Sequence, residues 1–380
     1  MSWLKRKLFK KKISIAVIGI GNAGCKIGDE IIHQLKESNI NVKSLAINYT
    51  DNFEPKIKHF AENFWFGSQD NPSSNSNLED AWNEIQNKEL NLKNKLEDVV
   101  FYKKGDRKSE DDLALHLIVG SGGGTGSAGT MIASNLILDI TGDAPTIIYI
   151  VPEKDEASLI QYNAATALHF LGFSAKGPQS PILLFDNEKL MKILKDEKID
   201  EILNISNNIL AEILTTTILA ALQESIHQEY NADLNDFFSS FTKEARGLGV
   251  IVSVDKEFET LEKAQNVRFS DIFFNELDES SSLSADVTRA KRGYLTINMP
   301  TTYQSTFETR KIVKRFEKGS IKVALNSIEE PVLTIRGVLT GIHPDYVDRF
   351  WEILEKGRDG RNEIITKEEK IRQSHIDLKH

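Results

Sequence analysis

Cysteine is nearly absent from this sequence, since the 380 residues contain only Cys25. A single cysteine excludes an internal disulfide framework and a cysteine-rich zinc site, and it fits a reducing cytoplasm. The eight histidines are scattered without the spacing that metal ligands have. We therefore expect no metal site built from the protein's own side chains.

Long apolar runs and an excess of positive charge are missing as well. No apolar run approaches the roughly 18 residues of a membrane-spanning helix, and no cleavable signal segment is visible. The formal net charge is −9, so we expect no nucleic acid partner. The composition, 40% hydrophobic and 27% charged, is that of a globular protein, and the length predicts about two domains.

The first dozen residues differ in character from the rest of the chain. In residues 1–12, the apolar side chains of Trp3, Leu4, Leu8 and Phe9 are interspersed with lysine and arginine. A basic amphipathic segment can lie on an anionic membrane surface, whereas the simpler alternative is a disordered basic tail. We expect a cytoplasmic protein, with peripheral binding to the inner face of the membrane as the further possibility that this segment raises.

The most distinctive segment is the glycine-rich loop Gly120–Ala128, in which five of the first seven residues are glycine. The apolar run Leu113–Val119 before it predicts a strand, and the helical pattern Met131–Ile140 after it predicts a helix. Such a loop lets backbone N–H groups converge on an anion, helped by the positive end of the helix. We expect phosphate binding here, because an ordinary turn does not need so many glycines. The P-loop lysine is missing, so this is a different phosphate loop.

A second glycine-rich turn lies near the N-terminus. The apolar strand pattern Ile13–Ile18 runs into a Gly-x-Gly-x-x-Gly turn over residues 19–24. Taken alone, this pattern is typical of dinucleotide binding and favours an NAD-dependent oxidoreductase. That interpretation needs an acidic residue at the end of the second strand. The predicted strand Val42–Ile47 is followed by Asn48, and Asp51 comes three residues later, so the oxidoreductase is kept as an alternative.

Taken together, the loops resemble those of one known family. The run Gly122–Ser127 is similar to the phosphate-binding signature of the tubulin/FtsZ superfamily, a specific motif. Residues 19–28 resemble the first nucleotide loop of that superfamily, and Asn48–Asp51 resembles its second. The sequence lacks the paired C-terminal helices of eukaryotic tubulin and the adaptor-binding peptide of many FtsZ chains. Archaeal tubulin-like (CetZ-like) and divergent FtsZ-like proteins are therefore the most similar groups.

The resemblance implies a site for GTP or GDP that is assembled from several loops, with Mg²⁺ beside the phosphates. The residues expected to hold the phosphate and ribose side are Gly21, Asn22, Ala23, Gly24, Cys25, Asn48, Gly122, Gly123, Gly124, Thr125, Gly126 and Ser127.

Two asparagines are expected to read the guanine base, because an amide both donates and accepts hydrogen bonds. Asn187 follows the predicted strand Pro181–Phe185, and Asn207 lies in the first turn of a long predicted helix. Either could instead be a helix cap, and the residues alone leave this open. Four residues before Asn207, the family usually stacks an aromatic ring on the base, whereas this chain has Leu203.

The candidate catalytic residues lie far along the chain from these loops. Residues 231–236 resemble the hydrolytic loop of the family, Asn-x-Asp-x-x-Asp/Glu, through Asn231, Asp233 and Asp236. Asp233 and Asp236 would share one helix face, from which carboxylates orient an attacking water. A helix cap with its capping-box partner is a compatible alternative. In tubulin and FtsZ this loop meets the nucleotide of the next subunit, so the resemblance implies a head-to-tail filament.

The fold class expected is α/β: an N-terminal Rossmann-like parallel-sheet domain, a long central helix and a smaller C-terminal α+β domain. The predicted segments are a basic tail (1–12), a GTP-binding domain (13–205), the central helix (206–229), the catalytic loop with its helix (230–246), the α+β domain (247–356) and a charged tail (357–380). The resemblance implies a filament-forming GTPase in cell division or cell-shape control, with further copies of itself and adaptors as partners. The alternative is a non-hydrolysing GTP-binding scaffold at the membrane.

Overall fold

The described part of the chain is organised around one ten-stranded sheet. A computed structural model of the protein describes residues 12–51, 57–67, 77–105, 112–189, 199–221, 234–300, 305–316 and 319–377. The strands are β1 (Lys12–Ile20), β2 (Asn41–Asn48), β3 (Glu62–Trp65), β4 (Asp112–Ser121), β5 (Thr146–Val151), β6 (Pro181–Asp186), β7 (Gly247–Glu257), β8 (Arg292–Met299), β9 (Ser320–Ser327) and β10 (Val332–Ile342).

Helices connect most of these strands and cover the sheet. They are α1 (Gly21–Glu37), α2 (Leu78–Asn87), α3 (Glu89–Val99), α4 (Gly124–Thr141), α5 (Ser158–Gly172), α6 (Ile199–Ala220), α7 (Leu234–Ser239), α8 (Leu261–Gln265), α9 (Phe269–Ser280), α10 (Ser305–Arg315) and α11 (Asp348–Asp377). Within these described segments, no helix combines the length and the apolar character needed to cross a membrane.

The strand order is β3-β2-β1-β4-β5-β6-β7-β10-β8-β9. Every neighbouring pair is parallel except the two that involve β10. The parallel pairing of Pro181 with Gly247 joins β6 to β7, so the two predicted domains share one continuous sheet. We call the edge where the parallel strands end the carboxyl edge, and the edge where they begin the amino edge.

Two apolar clusters fill the space between the sheet and its helices. One holds the buried side chains of α2 to α5 and of α9 to α11, and the other holds those of α1, α6 and α7. Helices on both faces explain why a strand such as β5 is buried along its whole length. The predicted α/β class, with a long helix in the middle of the chain, is confirmed.

Three predicted helices differ from those observed. The central helix α6 begins at Ile199 rather than 206, and the helix predicted from Leu78 to about Lys95 is the pair α2 and α3. The largest difference is α11, which continues to Asp377 through the stretch predicted as a tail from 357. That prediction was wrong because it relied on apolar periodicity.

Glycines, rather than large apolar residues, allow α11 to pack closely on α5. A Cβ on Gly357 would lie 2.3 Å from Cβ of Ala165, and a Cβ on Gly360 would lie 2.4 Å from the carbonyl oxygen of Ser158. Contact between helix backbones at this distance leaves no room for side chains. Large apolar residues such as Phe350 and Ile353 are buried near the start of α11. At Gly357 and Gly360 the helix packs tightly without continuing that apolar stripe.

Candidate nucleotide-binding site

Two helices begin side by side at the carboxyl edge. Strand β1 runs directly into α1, and β4 leads into α4 through Gly122 and Gly123. Neither helix has a side-chain cap or an acidic residue in its first turn. The first N–H groups of a helix have no acceptor inside it, and the helix dipole favours negative charge there. This pair of uncapped helix ends suits a phosphate group.

The two glycine loops touch each other through their backbones. Gly21 has a φ of +70°, and a Cβ on it would lie 3.1 Å from the nitrogen of Gly126. Only glycine combines this left-handed backbone with so close an approach. A Cβ on Gly123 would meet nothing within 4 Å, so the loop is open on that side. The loops thus form one continuous backbone surface with room beside it for a ligand.

Ser127 supports this loop from inside the protein. Its side chain is fully buried. The hydroxyl donates to the carbonyl of Ser121 over 3.2 Å and is 2.9 Å from the hydroxyl of Tyr149. Burial raises the pKa of Tyr149 above its usual value, so the phenol stays protonated at neutral pH. The geometry gives the Ser127 side chain a bracing role beneath the loop.

Cys25 occupies a similar place beneath the first loop. Its thiol is fully buried and donates to the carbonyl of Gly19 over 3.3 Å. Burial raises its pKa well above the usual range, so it is a poor nucleophile. Gly24 is buried beside it, whereas Ala23 is partly exposed and Asn22 is exposed. Of these residues, Asn22 presents the most side chain to a ligand.

Asn22 is linked to the end of the second strand. The Nδ2 of Asn48 donates to the Oδ1 of Asn22 over 2.8 Å, and the Oδ1 of Asn48 accepts from the N–H of Tyr49 over 2.8 Å. The backbone bond fixes the orientation of the Asn48 amide. Strand β2 therefore ends in a buried amide, and Asp51 lies exposed beyond it. Among the described residues, no carboxylate stands at the end of β2, where a dinucleotide site holds a ribose.

Asn187 follows β6 at the same edge. The N–H of Glu188 donates to the Oδ1 of Asp186 over 3.2 Å, so Asp186 takes the capping role that was the alternative for Asn187. The Nδ2 of Asn187 makes a long, 3.5 Å hydrogen bond to the Oε1 of Glu153. Burial, followed by repulsion from neighbouring carboxylates, raises the pKa of Glu153. Asn207 is partly exposed and lies in the third turn of α6, so it is neither a cap nor a first-turn residue.

Asp236 lies at the amino edge, away from the glycine loops. It is in the first turn of α7, and its Oδ1 is 3.3 Å from the Nζ of Lys322 near the start of β9. The chain after α7 is fixed at this edge, because Thr146, the first residue of β5, donates to the carbonyl of Phe241 over 3.1 Å. Asn231 and Asp233 lie outside the described residues.

The distance between the two candidate half-sites follows from the strands between them. Strands β5 and β6 each have six residues from the amino edge to the carboxyl edge. At about 3.3 Å per residue, this is a separation of about 16 Å along the sheet. One copy of the protein therefore does not bring Asp236 to its own glycine loops.

Three side chains of the site carried no recognisable signal in the sequence. Tyr149 braces Ser127 from within an aliphatic strand, and Glu153 contacts Asn187 from the loop that follows β5. Arg349 donates to the carbonyl of Pro152 over 2.7 Å although almost two hundred residues separate them. A long-range contact of this kind leaves no local pattern.

The architecture is α/β, with helices on both faces of a mostly parallel sheet, and comparisons with known proteins identify the fold more closely. No family model matches the sequence, and no curated protein matches it. Among solved structures, CetZ2 from Haloferax volcanii, a GTPγS-bound protofilament, is 17% identical with a TM-score of 0.73, covering 92% of this chain and 99% of its own.

Two other kinds of protein share the architecture. TubZ from Bacillus thuringiensis serovar israelensis, a GTPγS-form protofilament, is 14% identical with a TM-score of 0.69, covering 97% of this chain and 95% of its own. FtsZ from M. jannaschii, solved as an empty dimer, is 18% identical with a TM-score of 0.64, covering 89% and 91%. The chain thus has the tubulin/FtsZ fold, as the resemblance implied.

Proposed function

We propose that this protein binds GTP, assembles head-to-tail into filaments and hydrolyses the nucleotide at the junctions between copies. The observation that carries the proposal is the position of the two half-sites at opposite edges of one sheet. The glycine loops and Asn187 lie at the carboxyl edge, and Asp236 lies at the amino edge with Lys322. Stacking copies edge to edge would bring the two halves together.

The carboxyl edge would supply the groups that hold a guanine nucleotide. The backbone of residues 122–126 and of Gly21 would hold the phosphates at the two helix ends, with Mg²⁺ offsetting their charge. Asn22, held by Asn48, would meet the phosphate or ribose. Asn187 would read the base with its amide, and Asn207 on α6 is the second candidate for the same task.

The amino edge would supply the hydrolytic groups to the next copy. Hydrolysis of a γ-phosphate depends mainly on positioning water and stabilising charge, and a carboxylate such as Asp236 can orient that water. We assign Asn231 and Asp233 to the same loop on the resemblance alone. A head-to-tail contact uses two different surfaces and therefore repeats into an open polymer. CetZ2 and TubZ, both solved as protofilaments, support this arrangement.

The buried amide at the end of β2 argues against the NAD-dependent oxidoreductase, because the ribose of a dinucleotide needs a carboxylate there. For the filament itself, a cytoplasmic role in cell division or cell shape belongs to the proposal, together with adaptors that would attach it to other structures. Peripheral binding of residues 1–12 to an anionic membrane also stays a prediction, since residues 1–11 lie outside the described part.

The proposal predicts that specific activity depends on protein concentration. Phosphate release per molecule should be near zero in dilute protein and should rise steeply where light scattering detects filaments. Specific activity that stays constant across this range would contradict a shared site. Filaments that need GTP but release no phosphate, in both wild type and Asp236→Asn, would instead identify the non-hydrolysing scaffold.

A further inference from the structure

One buried arginine lies beside the candidate base-reading residue without belonging to any glycine loop. Arg349, the second residue of α11, is only 6% exposed. Its Nη2 donates to the carbonyl of Pro152 over 2.7 Å, and its Nε is 3.4 Å from the Oδ2 of Asp186. Its Nη1 donates to the Oε2 of Glu352 over 3.1 Å. A buried guanidinium is costly unless it is paired in this way.

The partners of Arg349 immediately precede the two residues that meet beside the base. Pro152 precedes Glu153, and Asp186 precedes Asn187, whose Nδ2 donates to Glu153 over 3.5 Å. Strands β5 and β6 are neighbours at this point, since Val151 pairs with Asp186. The guanidinium therefore holds together the two strand ends that carry the Glu153–Asn187 pair.

The charges around this pair make the arginine necessary. Burial raises the pKa of Asp186, and the positive charge of Arg349 acts against that increase. The pKa of Glu153 is raised by burial and by carboxylates that include Glu188 and Asp186. Glu188 itself lies 3.8 Å from Arg349. Without the guanidinium, these carboxylates would repel one another across the two strand ends.

Holding Glu153 in place determines which way the Asn187 amide points. A carboxylate only accepts hydrogen bonds, so the NH₂ group of Asn187 must face Glu153, which turns its oxygen to the other side. An oxygen acceptor there suits guanine, which donates from N1 and from its 2-amino group. Adenine has an acceptor at N1, no amino group at C2 and only its 6-amino group as an exocyclic donor. An amide oxygen that faces the N1–C2 edge of the base therefore favours guanine over adenine.

We propose that Arg349 is a positioning residue for guanine recognition, because it fixes the strand ends on which Glu153 orients the Asn187 amide. The inference rests on the proposed function and deepens it. A purely structural arginine exists for comparison: Arg336 binds both carboxylate oxygens of Asp255 over 2.7 Å and the carbonyl of Val254 over 3.0 Å. Its partners lie on β7, away from the base-reading pair.

The test is the affinity of the full chain for GTP and for ATP, measured by calorimetry. In Arg349→Gln, GTP affinity should fall about tenfold while ATP affinity changes little, so that the preference for guanine falls about tenfold. Arg349→Lys should recover only part of this preference, because one ammonium cannot reproduce the forked contacts to Pro152 and Asp186. Glu153→Gln should also reduce the preference, since an amide can face Asn187 with either end.

Arg336→Gln is the matched control, expected to lower thermal stability without changing the ratio of GTP to ATP affinity. The inference is overturned if the folded Arg349→Gln protein keeps the wild-type ratio. If Arg349→Gln does not fold, the test uses Arg349→Lys and Glu153→Gln instead. Wild-type ratios of GTP to ATP affinity in both of these variants would overturn the inference. A wild-type protein that shows no preference for GTP would instead refute the proposed function itself.

Discussion

The two edges of the sheet are built from different chemistry. At the carboxyl edge, the candidate phosphate site consists of glycine backbone, two uncapped helix ends and the linked amides of Asn22 and Asn48. At the amino edge, Asp236 lies on a helix that aromatic rings anchor, and Lys322 of β9 lies next to it. Around the glycine loops the carboxyl edge offers neutral donors, whereas the amino edge offers acidic and basic side chains.

This difference has a physical reason if the protein binds and hydrolyses GTP. Backbone N–H groups attract phosphates without adding a carboxylate that would repel them. A carboxylate fixed beside the glycine loops of the same copy would weaken nucleotide binding through repulsion between like charges. Placing Asp236 about 16 Å away along the sheet removes that repulsion in the single molecule. Hydrolysis then becomes conditional on contact between copies.

The largest expected effect is a loss of GTP hydrolysis without a loss of GTP binding. Asp236→Asn should reduce phosphate release by filaments about a thousandfold, within the range for loss of a general base. GTP affinity should be unchanged, because the residue lies at the other edge. Glu244→Gln is the control, since Glu244 pairs with Arg292 at the same amino edge and has no assigned role. Equal losses in both variants would mean that general charge at this edge, rather than Asp236, matters.

The aromatic cluster around Phe237, which holds α7 at the amino edge, should contribute to the free energy of unfolding. Phe237 is 1% exposed, and its ring lies 4.8 Å from that of Phe241 and 5.4 Å from that of Tyr294. Phe237→Ala should lower the free energy of unfolding by about 3 kcal/mol or somewhat more, measured by urea denaturation. Phe237→Leu should cost less, because it leaves a smaller cavity. A folded Ala variant with impaired GTP binding would contradict the independence of the two edges.

At the carboxyl edge, we expect GTP binding to be sensitive to substitution of Gly21. Gly21→Val would place a side chain against Gly126, and GTP affinity should fall about hundredfold through the loss of a charge-assisted hydrogen bond. The control is Gly105→Val, because Gly105 also has a positive φ, +96°, but nothing lies within 4 Å of its Cβ position. Both substitutions place valine at a position with positive φ and so share that backbone strain. They differ because only the valine at position 21 would clash with Gly126. Equal GTP affinities in the Gly21→Val and Gly105→Val variants would show that Gly21 has no part in binding the nucleotide.

The parts of the fold and of the candidate site that could be predicted from sequence are those marked by local patterns of residues. The strands that lead into the two glycine loops, the strands before Asn48 and Asn187, and the helix after Gly123 were predicted. Their apolar runs and glycine clusters are contiguous in the chain. Strand β3 and helix α9 were not predicted. The part of α11 from residue 357 onward was taken for a tail, because Gly357 and Gly360 stand where an apolar stripe would continue. Arg349 was missed for another reason: it acts on residues almost two hundred positions earlier, and only the folded chain brings them together.

The smallest expected effect tests how the phosphate loop is braced. Tyr149→Phe removes a buried hydroxyl that lies 2.9 Å from Ser127, so the free energy of unfolding should fall by about 1 kcal/mol and GTP affinity should fall severalfold. Tyr49→Phe is the matched control, because the hydroxyl of Tyr49 is also buried but has no hydrogen-bond partner among the described residues. Removing an unpaired buried hydroxyl should be neutral or stabilising. If both variants lost GTP affinity equally in calorimetry, the Tyr149–Ser127 contact would have no specific part in supporting the loop.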